Sequence, residues 1–333
     1  MEQMAAGRGE VRKNLARALA AVGLGSGLAL AWGAVSIRGP EPARPARWVV
    51  ADRDRGELVA LDRDLLVVRR TSVEFPVEIE SRADRTLWVA SASPLGPLAD
   101  GRLRCLALDG SVIVERSIGP LFDLDVIDSA DALVVDAPGG ARRAARLRVD
   151  GTWSIVEVAP DLACIAGQSG EVLVGTEGGE LRLHAGGATY QRSFGGWIAD
   201  VAPGPRSGSW WVLDAHGGPS SRRVALLGPA LATVWERPAG LAALHLAPVR
   251  GAEQVWLADS SSNLARRFGR GGALEVPQAQ LAMVGAYRGC GSENGSVLFA
   301  TPGAVLALDA LGGAASGQGG FDFLVDVADL EAR

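Results

Sequence analysis

Three features of the sequence predict an all-β repeat protein: a seven-bladed β-propeller of four-stranded blades, closed by its N- and C-terminal strands in one blade and preceded by an N-terminal hydrophobic helix. The first is a recurring phrase, an apolar strand core that ends on Asp, Ser or Thr. It stands at 48–52 (WVVAD), 86–91 (TLWVAS), 132–136 (ALVVD), 171–176 (EVLVGT), 209–214 (SWWVLD), 254–259 (QVWLAD) and 296–301 (SVLFAT). Seven copies spaced by about 38–46 residues fall in the range of propeller arrays. The second is composition: 48% hydrophobic residues with 44 Gly and 17 Pro scattered along the chain, as a turn-rich all-β fold needs. The third is phase. The repeats begin on the second strand of a blade and end on a strand of the innermost type, so 321–330 (FDFLVDVADL) completes the first blade beside WVVAD. Such closure leaves no exposed sheet edge between the chain ends.

From the N-terminus, residues 1–17 are polar and basic. Residues 18–37 (ALAAVGLGSGLALAWGAVSI) carry no charge between Arg17 and Arg38, a length that spans a bilayer as a helix. Gly23, Gly25 and Gly27 weaken a soluble helix but are tolerated in a membrane, and Arg12, Lys13 and Arg17 favour a cytoplasmic N-terminus. The segment reads as an uncleaved signal anchor, or as a signal peptide cleaved near Ala31-Trp32-Gly33. Either reading places the body outside the cytoplasm, in a bacterial cell envelope, with the membrane as partner through this helix. Residues 38–47 form a Pro-rich, extended linker, and 48–333 form the propeller.

Each unit divides into apolar runs bounded by Gly, Pro, Asp and Ser, the signature of short strands. The second unit has TLWVAS, RLRCLALD (102–109), SVIVERSI (111–118) and LFDLDVID (121–128). Asp109-Gly110 and Asp150-Gly151 each join two such runs, where Gly tolerates the positive φ of a hairpin turn. The first, fourth, fifth and sixth units repeat the plan, their fourth runs being VEFPVEIE (73–80), WIADVA (197–202), LAALHLAP (241–248) and LAMVGAY (281–287). The third unit is looser, and in the seventh the Gly-rich stretch 312–320 is too weak in strand formers to assign.

Charge excludes one class of partner. Residues 1–47 hold seven basic and three acidic side chains, a net of +4, so the rest of the chain carries −9 within the total of −5. An acidic body has no basic groove for nucleic acid. The pairs Arg142–Arg143, Arg222–Arg223 and Arg266–Arg267 read as solvated turn charges. Cys105, Cys164 and Cys290 lie in three different repeats without CxxC spacing, which argues for buried thiols over a metal or redox motif.

The repeats resemble the NHL/YVTN-type β-propeller superfamily. Its blades carry a phrase of the form P-x-x-I-A-V-D … L-Y-V-A-D, which stands here as WIADVAP … SWWVLD and LAALHLAP … QVWLAD. Trp88, Trp211 and Trp256 occupy the place where that superfamily often has Tyr. The resemblance covers most of 48–330 and implies the fold. It does not choose among scaffolds, receptors and enzymes.

Two registers carry polar residues. The strand-end register, Asp52, Ser91, Asp136, Thr176, Asp214, Asp259 and Thr301, reads as turn closure, because these side chains bond nearby backbone amides. The innermost-strand register aligns Glu78, Asp125, Ala166, Asp200, His245, Gly285 and Asp326 between apolar neighbours. Five ionisable groups there would face the channel, as a solvated acidic wall or as a ring for Ca²⁺. Glu78, Asp125, Asp200, His245 and Asp326 are therefore the metal candidates. A catalytic set is not visible. The chain has no G-x-S-x-G or H-E-x-x-H motif, and a lactonase-like, metal-dependent hydrolase would lack its inner-strand Asn. The reading is a membrane-anchored or exported scaffold for an unidentified protein or small molecule, with the metal-dependent hydrolase as alternative. Loops after the second strands, with Pro94, Pro97, Arg142, Arg143 and His216, form the candidate binding face.

Overall fold

The computed structural model describes residues 45–330 apart from 82–85, 94–99, 128–130, 216–220, 260, 282–287, 293 and 323. The segments 1–17 and 18–37, nearly all of the linker, Pro94, Pro97, His216 and Gly285 lie outside the described residues. Among the described residues no helix is long and apolar enough to cross a membrane.

Seven antiparallel four-stranded sheets form the seven blades. Blade 1 runs outward as β28 (Leu324–Asp329), β1 (Trp48–Asp52), β2 (Glu57–Leu61) and β3 (Val67–Ser72). The first and last strands thus close the ring, with Val50 opposite Val327 and Ala51 opposite Asp326. The innermost strands of the other blades are β4 (Pro76–Ser81), β8 (Leu121–Ile127), β12 (Leu162–Gln168), β16 (Ile198–Pro203), β20 (Leu246–Pro248) and β24 (Gly289–Gly291), in blades 2 to 7. Blade 7 departs from the expected pattern twice. Its innermost strand is Gly289–Gly291, beyond the expected run 281–287, of which 282–287 lie outside the described residues, and the Gly-rich stretch does form an outer strand, Ala314–Gly319, paired with Ala304–Leu308. Pairing to an established neighbour supplies there what propensity does not.

Second strands are apolar on both faces because both faces meet another blade. β1, β5 (Leu87–Ser91), β9 (Asp131–Asp136), β17 (Trp210–Asp214) and β25 (Val297–Thr301) are buried at every position. Trp211 is wholly buried and meets Trp235 edge-on at 5.4 Å, in a cluster that continues into blade 6 through Leu246 and Leu257. Trp256 of blade 6 donates its indole N–H to Gly295 O of blade 7 at 3.0 Å. The Trp of the repeated phrase is therefore an inter-blade wedge.

The strand-end register is structural, as expected, with partners farther away than a two-residue turn. Asp136 Oδ2 accepts from Gly119 N at 2.8 Å, Asp52 Oδ2 from Asp322 N at 3.0 Å, and Asp259 Oδ2 from Ala242 N at 3.1 Å. In each case the carboxylate ties down the loop that leads into the innermost strand of its own blade. Ser261 N also donates to Asp259. Against its partial burial, these hydroxyl and amide donors hold the Asp259 carboxyl at about 2.

The arginine pairs are not solvated turn charges. Arg143 grips Asp136 with two N–H groups at 2.7 and 3.1 Å, and Arg223 grips Asp214. Their neighbours reach the next blade: Arg142 donates to Leu162 O at 2.9 Å and Arg222 to Ala243 O at 2.7 Å. Arg267 is 7% exposed and donates to Gly295 O. A guanidinium has enough donors to hold a carboxylate and a carbonyl together, which is what the blade-to-blade seams use. Arg142 and Arg143, expected on a free binding loop, are engaged in this way.

Candidate binding site in the axial channel

The innermost strands carry a shared irregularity. Each of β28, β4, β8, β12 and β16 has a β-bulge one residue before the side chain that pairs opposite the penultimate residue of the repeated phrase. The bulged residues are Val325, Val77, Phe122, Ala163 and Ala199. Bulges re-aim the side chain that follows. The register they define is Asp326, Glu78, Asp123, Cys164 and Asp200. In blade 7 it falls on Arg288, whose carbonyl accepts from Ala300 N, and in blade 6 His245 directly precedes β20. Asp125 and Ala166, aligned from sequence, lie two residues further along their strands, and Gly285 lies outside the described residues. A slip of two leaves a side chain on the same face, so Asp125 still lines the channel one level away.

This ring staples blade to blade. Asp326 Oδ2 accepts from Ile79 N at 2.8 Å, Glu78 Oε1 from Leu124 N at 3.2 Å, Asp123 Oδ2 from Ile165 N at 2.8 Å and Asp200 Oδ2 from Leu246 N at 2.7 Å. Each acceptor belongs to one blade, and each donor is the amide after the ring residue of the next. Asp125 Oδ2 repeats the bond one level on, from Gly167 N at 2.7 Å. Cys164 occupies the ring without a carboxylate and donates its thiol to Ile198 O at 3.7 Å. The innermost strand is a sheet edge, and its free N–H groups need acceptors in a buried setting.

Arg288 crosses the channel. It starts in blade 7 and reaches Glu78 of blade 2 at 2.5 Å and Asp123 of blade 3 at 3.1 Å. Burial opposes its charge, but the fields of Glu78, Asp326, Asp123 and Asp200 hold the guanidinium well above its ordinary pKa. Burial pushes the Glu78 carboxyl well up, with Arg288 opposing and Asp123 adding to the rise. Asp123 and Asp326 are raised for the same first reason. The ring read from sequence as a solvated acidic wall or a Ca²⁺ site thus carries a guanidinium of its own. Among the described residues no group of three or more His, Cys, Asp or Glu side chains is placed to hold a metal ion.

On one side of this bar lies a cup of about 390 Å³. It is lined by Asp123, Asp125, Asp200, His245, Arg288 and Asp326, and its walls run to the ends of the innermost strands at Pro203, Pro248 and Gly291. Four of the five metal candidates line it. Glu78 instead borders a smaller cavity of about 180 Å³ with Ser91 and Gly119. Asp123, Arg288 and the wall residue Gln168 are not marked by any motif in the sequence. Asp123 was within reach as the other Asp of LFDLDVID, but Arg288 has no strand-like surroundings to mark it. Two thiols near the channel are inert. Burial pushes Cys290 up to about 12 and Cys164 well above its ordinary value, so neither supplies a thiolate near neutral pH.

Fold and site define a seven-bladed β-propeller with an axial cup closed at its floor by an arginine. No protein-family model matches the chain, and no curated protein does. Solved structures do. A functionally unknown protein from Desulfotomaculum acetoxidans aligns at a TM-score of 0.65 and 13% identity, over 86% of this chain and 99% of that one. Apo AztD from Citrobacter koseri aligns at 0.63 and 13%, over 85% and 97%. Streptogramin B lyase aligns at 0.58 and 12%, over 73% and 82%. Likeness at these identities establishes the fold.

Proposed function

We propose that this protein is an exported or membrane-anchored binding propeller of NHL/YVTN type, and that a small molecule enters the axial cup. The observation that carries the reading is the cup itself: a concave space of about 390 Å³ whose polar groups converge from separate blades. Concavity with a few placed polar groups is the usual form of a small-ligand site. The NHL/YVTN affiliation rests on the WIADVAP … SWWVLD phrase. Export rests on the uncharged run 18–37 and its basic flank. Binding is favoured over catalysis because burial raises both thiols near the channel and the ring carboxylates each give an oxygen to a blade amide.

The test is a thermal-shift screen of small metabolites against the wild type and Ala202→Phe. Ala202 lines the cup two residues beyond Asp200 on β16, so a phenyl group there takes up cup space. Support is a ligand that raises the melting temperature of the wild type and not of the variant. Ligands that act equally on both would move the site to another surface. Membrane fractionation of cells expressing the full chain tests the location.

A further inference from the structure

We propose that the smaller cavity beside Glu78 is a second ligand site, separate from the cup, and that it takes a small neutral ring with one hydroxyl, a phenol. The inference goes beyond the cup reading and does not depend on it. The cavity lies where β5 ends and β8 begins, at the entry end of the innermost strands, whereas the cup is walled by the opposite ends of those strands. Three observations carry the proposal.

The first is Ser91, which lines the cavity. It is 5% exposed, and its hydroxyl is buried without a hydrogen-bond partner. Its counterparts at the ends of the other six second strands all have one. Asp52, Asp136, Asp259 and Thr176 accept from backbone amides, Thr301 donates to Ala304 O, and Asp214 is held by Arg223. Serine is one bond shorter than aspartate. Blade 2 is therefore left with a hydroxyl that reaches nothing and an open space next to it. A buried hydroxyl without a partner is costly and rare, and one beside a cavity points to a polar group brought in from outside.

The second is size and lining. Val77, Ala92 and Leu121 give apolar walls, and Gly101 and Gly119 bring no side chain to fill the space. An apolar cavity of about 150 Å³ takes a benzene ring. The volume of about 180 Å³ here adds room for a hydroxyl on that ring. The surface next to the cavity is apolar as well. Phe122 follows Leu121, and Phe75 O accepts from Ala92 N at 3.0 Å. These two rings are 36% and 39% exposed.

The third is charge, which selects a neutral head. Glu78 is 4% exposed, and its Oε1 already takes the Leu124 amide and Arg288. A carboxylate entering beside it would be a second buried negative charge. A phenol hydroxyl both donates and accepts, so it satisfies Ser91 without adding charge.

Fluorine NMR of the purified full chain with 4-fluorophenol, 4-fluorotoluene and 4-fluorobenzoate tests the site. The expected result is that the phenol binds about fivefold or more tighter than the toluene, and that the benzoate does not bind. Ser91→Ala removes the hydroxyl and is expected to bring phenol and toluene to equal affinity. That change removes a group without a partner, so the melting temperature is expected to stay within about 3 °C of the wild type or to rise. Ala92→Leu puts an isobutyl group into the cavity and is expected to abolish binding of both. Ser91→Ala alone decides the test if Ala92→Leu does not fold. Ala202→Phe, which occupies the cup, is expected to leave phenol binding unchanged. A phenol preference that survives in Ser91→Ala overturns the inference, as does the absence of any binding in the wild type. Phenol binding lost in Ala202→Phe also overturns it, and places the ligand in the cup.

Discussion

Arg288 and Glu78 decide most of what happens at the axis. Removing the guanidinium by Arg288→Met leaves two buried carboxylates, 4% and 5% exposed, without their cation. The expected loss is about 3 kcal/mol or more, read from urea unfolding. The raised carboxyls also set a pH dependence. Glu78, Asp123 and Asp326 hold protons over a range where the unfolded chain has released them. Their contribution is complete in acid and is lost as pH rises from ordinary carboxylate values through the raised ones. The melting temperature is therefore expected to fall as pH rises above the ordinary carboxylate range, and Glu78→Gln, which cannot titrate, should flatten the slope. A melting temperature that climbs over this range in the wild type would show that the axial carboxyls are ionised throughout.

At the scale of the strand, the repeated phrase is legible and its bulges are not. Trp211 announces itself by its place before an apolar pair and an Asp. Its burial between blades follows, and Trp211→Ala is expected to cost about 3–5 kcal/mol, measured by chemical denaturation. A milder change on the neighbouring element, Asp136→Asn, keeps an acceptor for Gly119 N but weakens the grip of Arg143, and should cost about 1 kcal/mol. The innermost strands were harder to read. A bulge adds a residue without changing hydrophobic character, so Phe122 and Ala163 shift the true ring to Asp123 and Cys164 while Asp125 and Ala166 look equally well placed. Blade 7 was harder still, because Gly289–Gly291 contains no strand former and Arg288 sits beside it without an apolar frame. Blade number, phase and closure survive such slips because they depend on the second strands, which are buried at every position in five blades.

Across the whole molecule, blades are held to their neighbours by apolar wedges, arginine bridges and ring carboxylates, combined differently from seam to seam. Such an array gains its stability from interfaces, and blade 1 is completed only by β28. Truncation after residue 320 removes that strand and with it Asp326, the acceptor for Ile79 N. The expected outcome is loss of a single cooperative thermal transition, seen by calorimetry, and early proteolysis within blades 1 and 2. A truncated chain that melts in one sharp step at the wild-type temperature would mean that the ring is held without its closing strand.

The pairing of β28 with β1 also has a consequence in time. The contact from Asp326 to Ile79 spans 247 residues of chain, and contacts this distant form slowly because the intervening segment must first be ordered. On a ribosome, β1 waits for its inner neighbour until residues 324–329 have been made. During that interval WVVAD, apolar up to its terminal Asp52, is an unpaired edge, the kind that pairs with whatever strand comes first. Chains arrested before residue 324 are therefore expected to aggregate more readily than full-length ones, measured by sedimentation of stalled translation products.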